Sequence, residues 1–325
     1  MGRTVIVLGT GLGGLVAAEK LRKLLPDSDR VIAVDRTDRH FFPPSLLWLM
    51  IGDRKPGDFT RSFDRLANRG VELRRGNVTR IDAARKQIKI DGQSLAADAL
   101  VIALGADYAP EAIPGLATAG LNIYTMEGAG AIRDALARFE GGRIVILTAA
   151  PMYKCPAAPY EATLLVDAFL RKHGLRDKTT IEFFAAEPRP MFVAGPELGA
   201  AVRGMVEAQG IAYHPEHQVK EVDPAAHRVT FASGATAEYD LLFYVPPHRA
   251  PAVVRVAGLT NEAGWIPVDR HTLQTQFEGV FAIGDITAIP LKMGRPLPKA
   301  GVFAHGQAEV VANNIAHAWT GRGAP

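Results

Sequence analysis

Residues 5–8 form an unbroken apolar run. A run that short, without polar alternation, predicts a strand buried on both faces, as in a parallel sheet. Apolar residues then recur at Leu15, Ala18, Leu21 and Leu24, the spacing of an amphipathic helix. A second apolar run, "RVIAVD", ends on Asp35. The pattern repeats later in the chain. Residues 144–148 are apolar, a turn follows, and an amphipathic segment opens near Pro159. A last buried strand is predicted in "GVFAIGDIT" (279–287), and a helix over 302–319.

The chain also repeats on a larger scale. Residues 70–105 and 210–245 align segment by segment: "VTRID" with "VKEVD", "KQIKI" with "HRVTF", and "DALVIAL" with "YDLLFYV". Each copy is a set of short strands followed by a strongly apolar one, and each follows a strand-turn-helix unit. One two-part module therefore occurs twice. The fold predicted is α/β, with two Rossmann-like dinucleotide-binding domains, the second inserted in the first. The expected boundaries are 1–108 with 256–325 for the first domain and 109–255 for the second.

The two turns differ in chemistry. After the first strand stands Gly9-Thr10-Gly11-Leu12-Gly13-Gly14. Gly9 suits the tight turn, Gly11 a close approach to pyrophosphate, and Gly14 tight helix–strand packing; Asp35 suits an adenosine ribose hydroxyl. Gly284 and Asp285 end the last buried strand, where open α/β sheets bind ligands. The second turn, "TAAPMYKCPAAP", has no glycine. Proline offers no N–H to a phosphate, and Met152 and Tyr153 would fill the space. The second module is thus expected to keep its fold without its nucleotide. In place of the glycines stands Cys155, the only cysteine, beside Lys154 and just ahead of a helix, a setting that favours thiolate. Glu161, in the first helical turn, suits proton transfer.

Composition narrows the function classes. The 325 residues are 48% hydrophobic and 22% charged, with 37 basic and 34 acidic side chains. A net charge of +3 without clustered Lys or Arg argues against a nucleic-acid partner. One cysteine excludes an internal disulfide and a multi-cysteine metal site. His214 and His217 sit three apart with Pro215 between them, so no metal site is expected among the nine histidines. No apolar run approaches the ~20 residues of a membrane span, and a strand starting at Thr4 leaves no room for a signal peptide. A cytoplasmic protein is expected, with peripheral contact on the cytoplasmic membrane face and a homodimer left open.

The two-module arrangement resembles that of the flavoproteins with two dinucleotide-binding domains, and Ala103 and Gly105 in "ALGA" match the strand end beside their FAD adenosine. More specifically, "KCPAAPYE", "YVPPHRAP", "GWIPVDRHTLQT", "GVFAIGDIT", "LPKAGVFAHGQAEVVANNI" and "HFFPPSLLWLMIGDRK" resemble, in order, segments of the sulfide:quinone oxidoreductase and flavocytochrome c sulfide dehydrogenase family. The resemblance implies FAD as cofactor, sulfide or a related small sulfur nucleophile as substrate, and a quinone or protein as electron acceptor. It implies Cys155 as the sulfur-accepting residue by the flavin and Glu161 as the proton handler. Lys299, with Gly301 and Val302 at the helix start, would face the pyrimidine end of the flavin, and Pro43 would pack near its ring. Arg36 and Val78 complete the implied cofactor set.

The sequence departs from that family in one respect. Members carry at least two cysteines, the partner lying downstream of the last helix. This sequence ends at Pro325, before that point and before the C-terminal segment that binds membrane and quinone in the quinone-reducing members. The "TGRGAP" ending reads as an exposed loop, so truncation is expected; otherwise a single thiol would carry a persulfide to an external thiol or to more sulfide. Two alternatives stay open: an NADH:quinone-type flavin oxidoreductase, and a non-catalytic FAD-binding subunit for redox sensing or interaction.

Overall fold

The computed structural model describes residues 2–322; the end of the "TGRGAP" loop, residues 323–325, lies outside the described residues. The chain forms two compact units, one of residues 1–40, 61–107 and 249–325, the other of 41–60 and 108–248. Residues 41–60, placed with the first unit in the sequence reading, belong with the second. The reason is apolar: Leu46, Leu47, Leu49 and Met50 bury in one core cluster with Ile132, Leu136 and Val166.

The first unit begins with β1 (Thr4–Leu8), α1 (Leu12–Leu24) and β2 (Arg30–Asp35). It continues with β3 (Glu72–Arg75) and β4 (Ala99–Ile102), between which residues 78–96 form a three-stranded antiparallel sheet. The second unit contains α2 (Met126–Ala137), β5 (Gly142–Thr148), α3 (Ala158–Lys172) and β6 (Thr179–Phe184). After these come α4 (Pro196–Glu207), β7 (Ala212–His214) and β8 (Leu241–Val245). The chain returns to the first unit for β9 (Val280–Ala282) and α5 (Gly301–Thr320).

In the first unit the strands run β9-β4-β1-β2-β3, all parallel. In the second, the short strand Leu121–Asn122 takes the β9 place and the order continues β8-β5-β6-β7, again parallel. The second unit also has its own antiparallel three-stranded sheet within residues 219–238. The repeat read from sequence is therefore a repeat of topology.

Parallel strands capped on both faces need apolar residues without alternation, and residues 5–8 are fully buried. Apolar clusters cover each face of both sheets. In the first unit, small residues let helices approach closely: a Cβ added at Gly13 would lie 3.4 Å from Ala304 of α5. Gly321, at φ +68°, ends α5 in the left-handed cap that glycine adopts without strain.

One buried ion pair ties α3 to the segment that follows it. Asp167 is 3% exposed and accepts bonds from Arg176 at 2.5 Å and Arg171 at 2.7 Å. Removing one partner of a buried pair strands the other. Asp167→Ala is therefore expected to lower the unfolding free energy by about 3 kcal/mol. Chemical denaturation checks this; a change within about 0.5 kcal/mol, as at an ordinary surface site, would contradict it.

Candidate active site in two parts

In the first unit the expected cofactor residues gather at the carboxyl ends of the strands. Gly9, after β1, is at φ +90°, and its N–H donates to the Val34 carbonyl at 2.8 Å. A Cβ on Gly9 would sit 2.5 Å from the Ala103 oxygen, and one on Gly14 would sit 1.8 Å from the Gly9 oxygen. These two glycines let backbone pack on backbone. Gly11 and Gly105 are different, because a Cβ on either would meet nothing within 4 Å. Open space beside Gly11, at the N-terminus of α1, leaves the first helical N–H groups facing outward. That is the cradle a pyrophosphate requires, and these residues fit one.

Asp35 has a second task. Its Oδ2 accepts from the Thr10 N–H (2.8 Å) and hydroxyl (2.7 Å), and its Oδ1 from the Thr37 N–H and hydroxyl (both 2.9 Å). All four lone-pair sites of the carboxylate are thus used in holding the glycine turn, and a ribose hydroxyl would bind by displacing a threonine hydroxyl. Burial works to raise the Asp35 pKa, but the bonds from Thr10 and Thr37 outweigh it and hold the carboxyl below its ordinary range. Arg36 is exposed and Val78 half-buried.

Gly284 (φ +75°) follows β9, and its N–H donates to Gln307 of α5 at 2.6 Å. Asp285 is half-buried. The Lys299 ammonium donates to the Asp285 carbonyl at 2.5 Å and lies 3.4 Å from the Trp265 ring centre. Gly284, Thr287, Leu297, Lys299, Phe303 and Gln307 line a cleft here. Gly301 and Val302 begin α5, with Val302 73% exposed.

Cys155, Glu161 and Pro43 belong to the second unit. Pro43 is exposed and opens the 3-10 turn before the helix Leu46–Met50. Cys155 is exposed, and its backbone is left-handed (φ +52°), a conformation uncommon for a residue with a Cβ. Its carbonyl accepts the Ala158 N–H at 2.9 Å, at the start of α3. Glu161 is exposed in the first turn of that helix. The Lys154 ammonium lies over the Tyr108 ring, 4.5 Å from its centre.

Tyr153 fills the turn from within, Met152 is exposed instead, and the acid that holds Tyr153 is one that sequence reasoning passed over. Glu187, 3% exposed, accepts from the Thr148 hydroxyl (2.6 Å), the Tyr160 hydroxyl (2.7 Å) and the Tyr153 hydroxyl. Burial foremost, with the Glu187 charge adding to it, keeps both phenols protonated to well above the usual pH for tyrosine. Thr10 at the end of β1 bonds the acid that ends β2, and Thr148, ending β5, bonds an acid just beyond β6. The first acid holds an open glycine turn; the second is capped by tyrosines, one of them from the turn.

Two Rossmann-like units, one with an open pyrophosphate cradle and one with a closed turn bearing a thiol, define a flavoprotein of the two-dinucleotide-binding-domain type. Residues 3–318 match the model of the pyridine nucleotide-disulphide oxidoreductase family, and the chain belongs to that family. It is an oxidoreductase with FAD as its cofactor. The chain is 28% identical to the mitochondrial sulfide:quinone oxidoreductase of Mus musculus over 302 residues, covering 88% of this chain and 66% of the mouse protein. It is 26% identical to the demethylphylloquinone reductase NdbB of a Synechocystis species, over 98% of this chain and 80% of that protein. The crystal structure of the Aquifex aeolicus sulfide:quinone oxidoreductase superposes with a TM-score of 0.89 at 25% identity, over 98% of this chain and 78% of that one. Among the described residues no helix is long and apolar enough to cross a membrane.

Two outcomes test the first unit. Gly14→Ala is expected to yield protein depleted in FAD, because the added methyl falls 1.8 Å from the Gly9 oxygen; full flavin content in the purified variant would contradict the packing role. For Asp35, whose folded pKa lies below the ordinary 3.8, the stabilisation is fully present above that value and lost as pH falls through the folded one. Asp35→Asn is expected to cost about 1–3 kcal/mol at neutral pH. The gap from wild type should close in denaturation curves taken progressively below pH ~4; a gap independent of pH would contradict it.

Proposed function

We propose that this chain oxidises sulfide, or a related small sulfur nucleophile, to sulfane sulfur at Cys155, with electrons passing through FAD to a quinone or protein acceptor. The observation that carries this reading is the second turn. Where a nicotinamide module needs glycine N–H groups, Tyr153 folds inward to Glu187 and Cys155 is presented at the surface. The names of the mouse and Aquifex relatives support sulfide as the donor and quinone as the acceptor.

FAD, when bound, supplies a two-electron acceptor. The protein's part begins at Cys155, where the thiolate and a hydrosulfide ion join as a persulfide. An S–S bond forms, an S–H bond breaks, and two electrons and one proton leave. The proton goes to Glu161, on the first turn of α3. Two features favour the thiolate: the N-terminus of α3 and the Lys154 charge. Attack by a second thiol or sulfide on the outer sulfur then returns the thiolate of Cys155. A quinone acceptor would bring the protein to a membrane surface, on its cytoplasmic face.

The similarity to a demethylphylloquinone reductase supports a second reading, in which a quinone is reduced at the expense of a donor other than sulfide. Anaerobic mixing separates the two. Sulfide is expected to bleach the bound flavin rapidly, NADH is not, and Cys155→Ser should slow the sulfide reaction by at least about 100-fold, the scale on which loss of a reacting group registers. Bleaching by NADH that outpaces sulfide, or a Cys155→Ser variant as fast as wild type, would overturn the proposal.

A further inference from the structure

The left-handed backbone at Cys155 needs something to hold it. Outside glycine such a conformation persists only where the surroundings over-determine it. The contacts that do so lie within the second unit and converge on Tyr124. Its hydroxyl reaches the Lys154 carbonyl at 2.7 Å and the Cys155 carbonyl at 3.2 Å. One phenol thus grips the peptide oxygens on both sides of the Cys155 Cα. The Cys155 carbonyl is also the acceptor for the first N–H of α3, so the grip links the turn to the helix start.

Tyr124 is itself fixed. It is 8% exposed, and its own carbonyl accepts the Tyr108 hydroxyl at 3.0 Å. The Tyr108 ring in turn carries the Lys154 ammonium on its face. The contacts close a loop: Tyr108 to Tyr124, Tyr124 to the turn, and the turn's Lys154 back to Tyr108. His248 fills the middle. Its ring meets Tyr108 and Tyr124 edge-on, with centres 5.1 and 5.9 Å apart. Its Nδ1 lies 2.8 Å from the Pro246 carbonyl, which fixes the proton on that nitrogen, and Nε2 accepts the Lys154 N–H at 3.5 Å. On the other side Tyr153 is tied to Glu187. Three successive residues are thereby anchored, and only the side chain of the third is turned out to solvent.

We propose that Tyr124 is a positioning residue for Cys155: its hydroxyl, through the two carbonyls, holds the thiol in its left-handed setting ahead of α3. The proposal rests on the reading of Cys155 as the sulfur-accepting thiol, and it adds that the reactivity of this thiol is set by a residue that holds the backbone on either side of it. The titratable groups around the turn are Tyr108, Tyr124, Tyr153, Lys154 and His248, with Glu187 and Tyr160 bonded together beside Tyr153 and Glu161 on the first turn of α3.

Tyr124→Phe removes the hydroxyl and keeps the ring. In the full-length, FAD-loaded protein, two readouts are needed. The first is the rate of Cys155 alkylation by iodoacetamide against pH, which involves no sulfide chemistry. The profile is expected to move to higher pH as the thiol leaves its setting ahead of α3. The second is flavin bleaching by sulfide, whose limiting rate is expected to fall about tenfold, the cost of misplacing a group rather than removing it, while the KM for a quinone acceptor stays at the wild-type value. Tyr108→Phe, one contact further out, should shift both in the same direction by less, and it carries the decision where Tyr124→Phe fails to fold. A wild-type alkylation profile and bleaching rate in a flavin-replete variant would overturn the proposal. Failure of the underlying reading looks different: Cys155→Ser would bleach like wild type, while the alkylation profile of Tyr124→Phe would still be displaced.

Discussion

A carboxylate buried to 3% exposure has to be hydrogen-bonded, and the way Glu187 meets that demand organises the second unit. Three hydroxyls converge on it, from Thr148 at the end of a strand, Tyr160 on a helix and Tyr153 in the turn between them. Tyr153 is drawn inward and occupies the inner side of the turn, while residues 154–157 are half-buried or exposed. Cys155 stands among them. In the first unit the acid that ends β2, Asp35, meets its own demand with Thr10 and Thr37 and leaves the turn above it open. Two copies of one module thus diverge through what caps their acids.

This divergence explains how a duplicated fold can serve two ends. The parallel sheets, the apolar faces and the small antiparallel sheets are alike in both units. The chemistry lies in two short stretches after equivalent strands. Glycines at 9 and 14 allow backbone to lie on backbone, and Gly11 leaves a hollow in front of a helix. In the second copy prolines and tyrosines give up the hollow and fix a thiol. On the reading proposed, the first copy holds the electron acceptor and the second the atom that gives up electrons.

Much of this was legible in the sequence, and for physical reasons. Strands buried on both faces write themselves as continuous apolar runs, so β1 and β5 were readable. The glycine turn was readable because only glycine tolerates those approaches. The unglycinated turn was readable as a departure from that rule. Glu187 was not read, because an acid beyond a strand looks like any surface carboxylate until the tyrosines that bury it are seen. Tyr124 and His248 stayed hidden because they meet the turn only through tertiary contacts, from 31 residues before Cys155 in one case. Residues 41–60 were misplaced because chain order suggested the first unit, whereas Leu46, Leu47 and Met50 find their apolar partners in the second. Asp35 suits a ribose hydroxyl by its place at the end of β2, and its lone pairs serve the turn as well.

On the reading proposed, a sulfur atom, in place of a nicotinamide, meets this protein at its second turn. Intact-protein and peptide mass spectrometry after anaerobic exposure of the FAD-loaded protein to sulfide tests it most directly. The expected result is a gain of whole sulfur atoms confined to the peptide that holds Cys155, appearing together with loss of the flavin absorbance. A reduced flavin beside an unmodified Cys155 would contradict it.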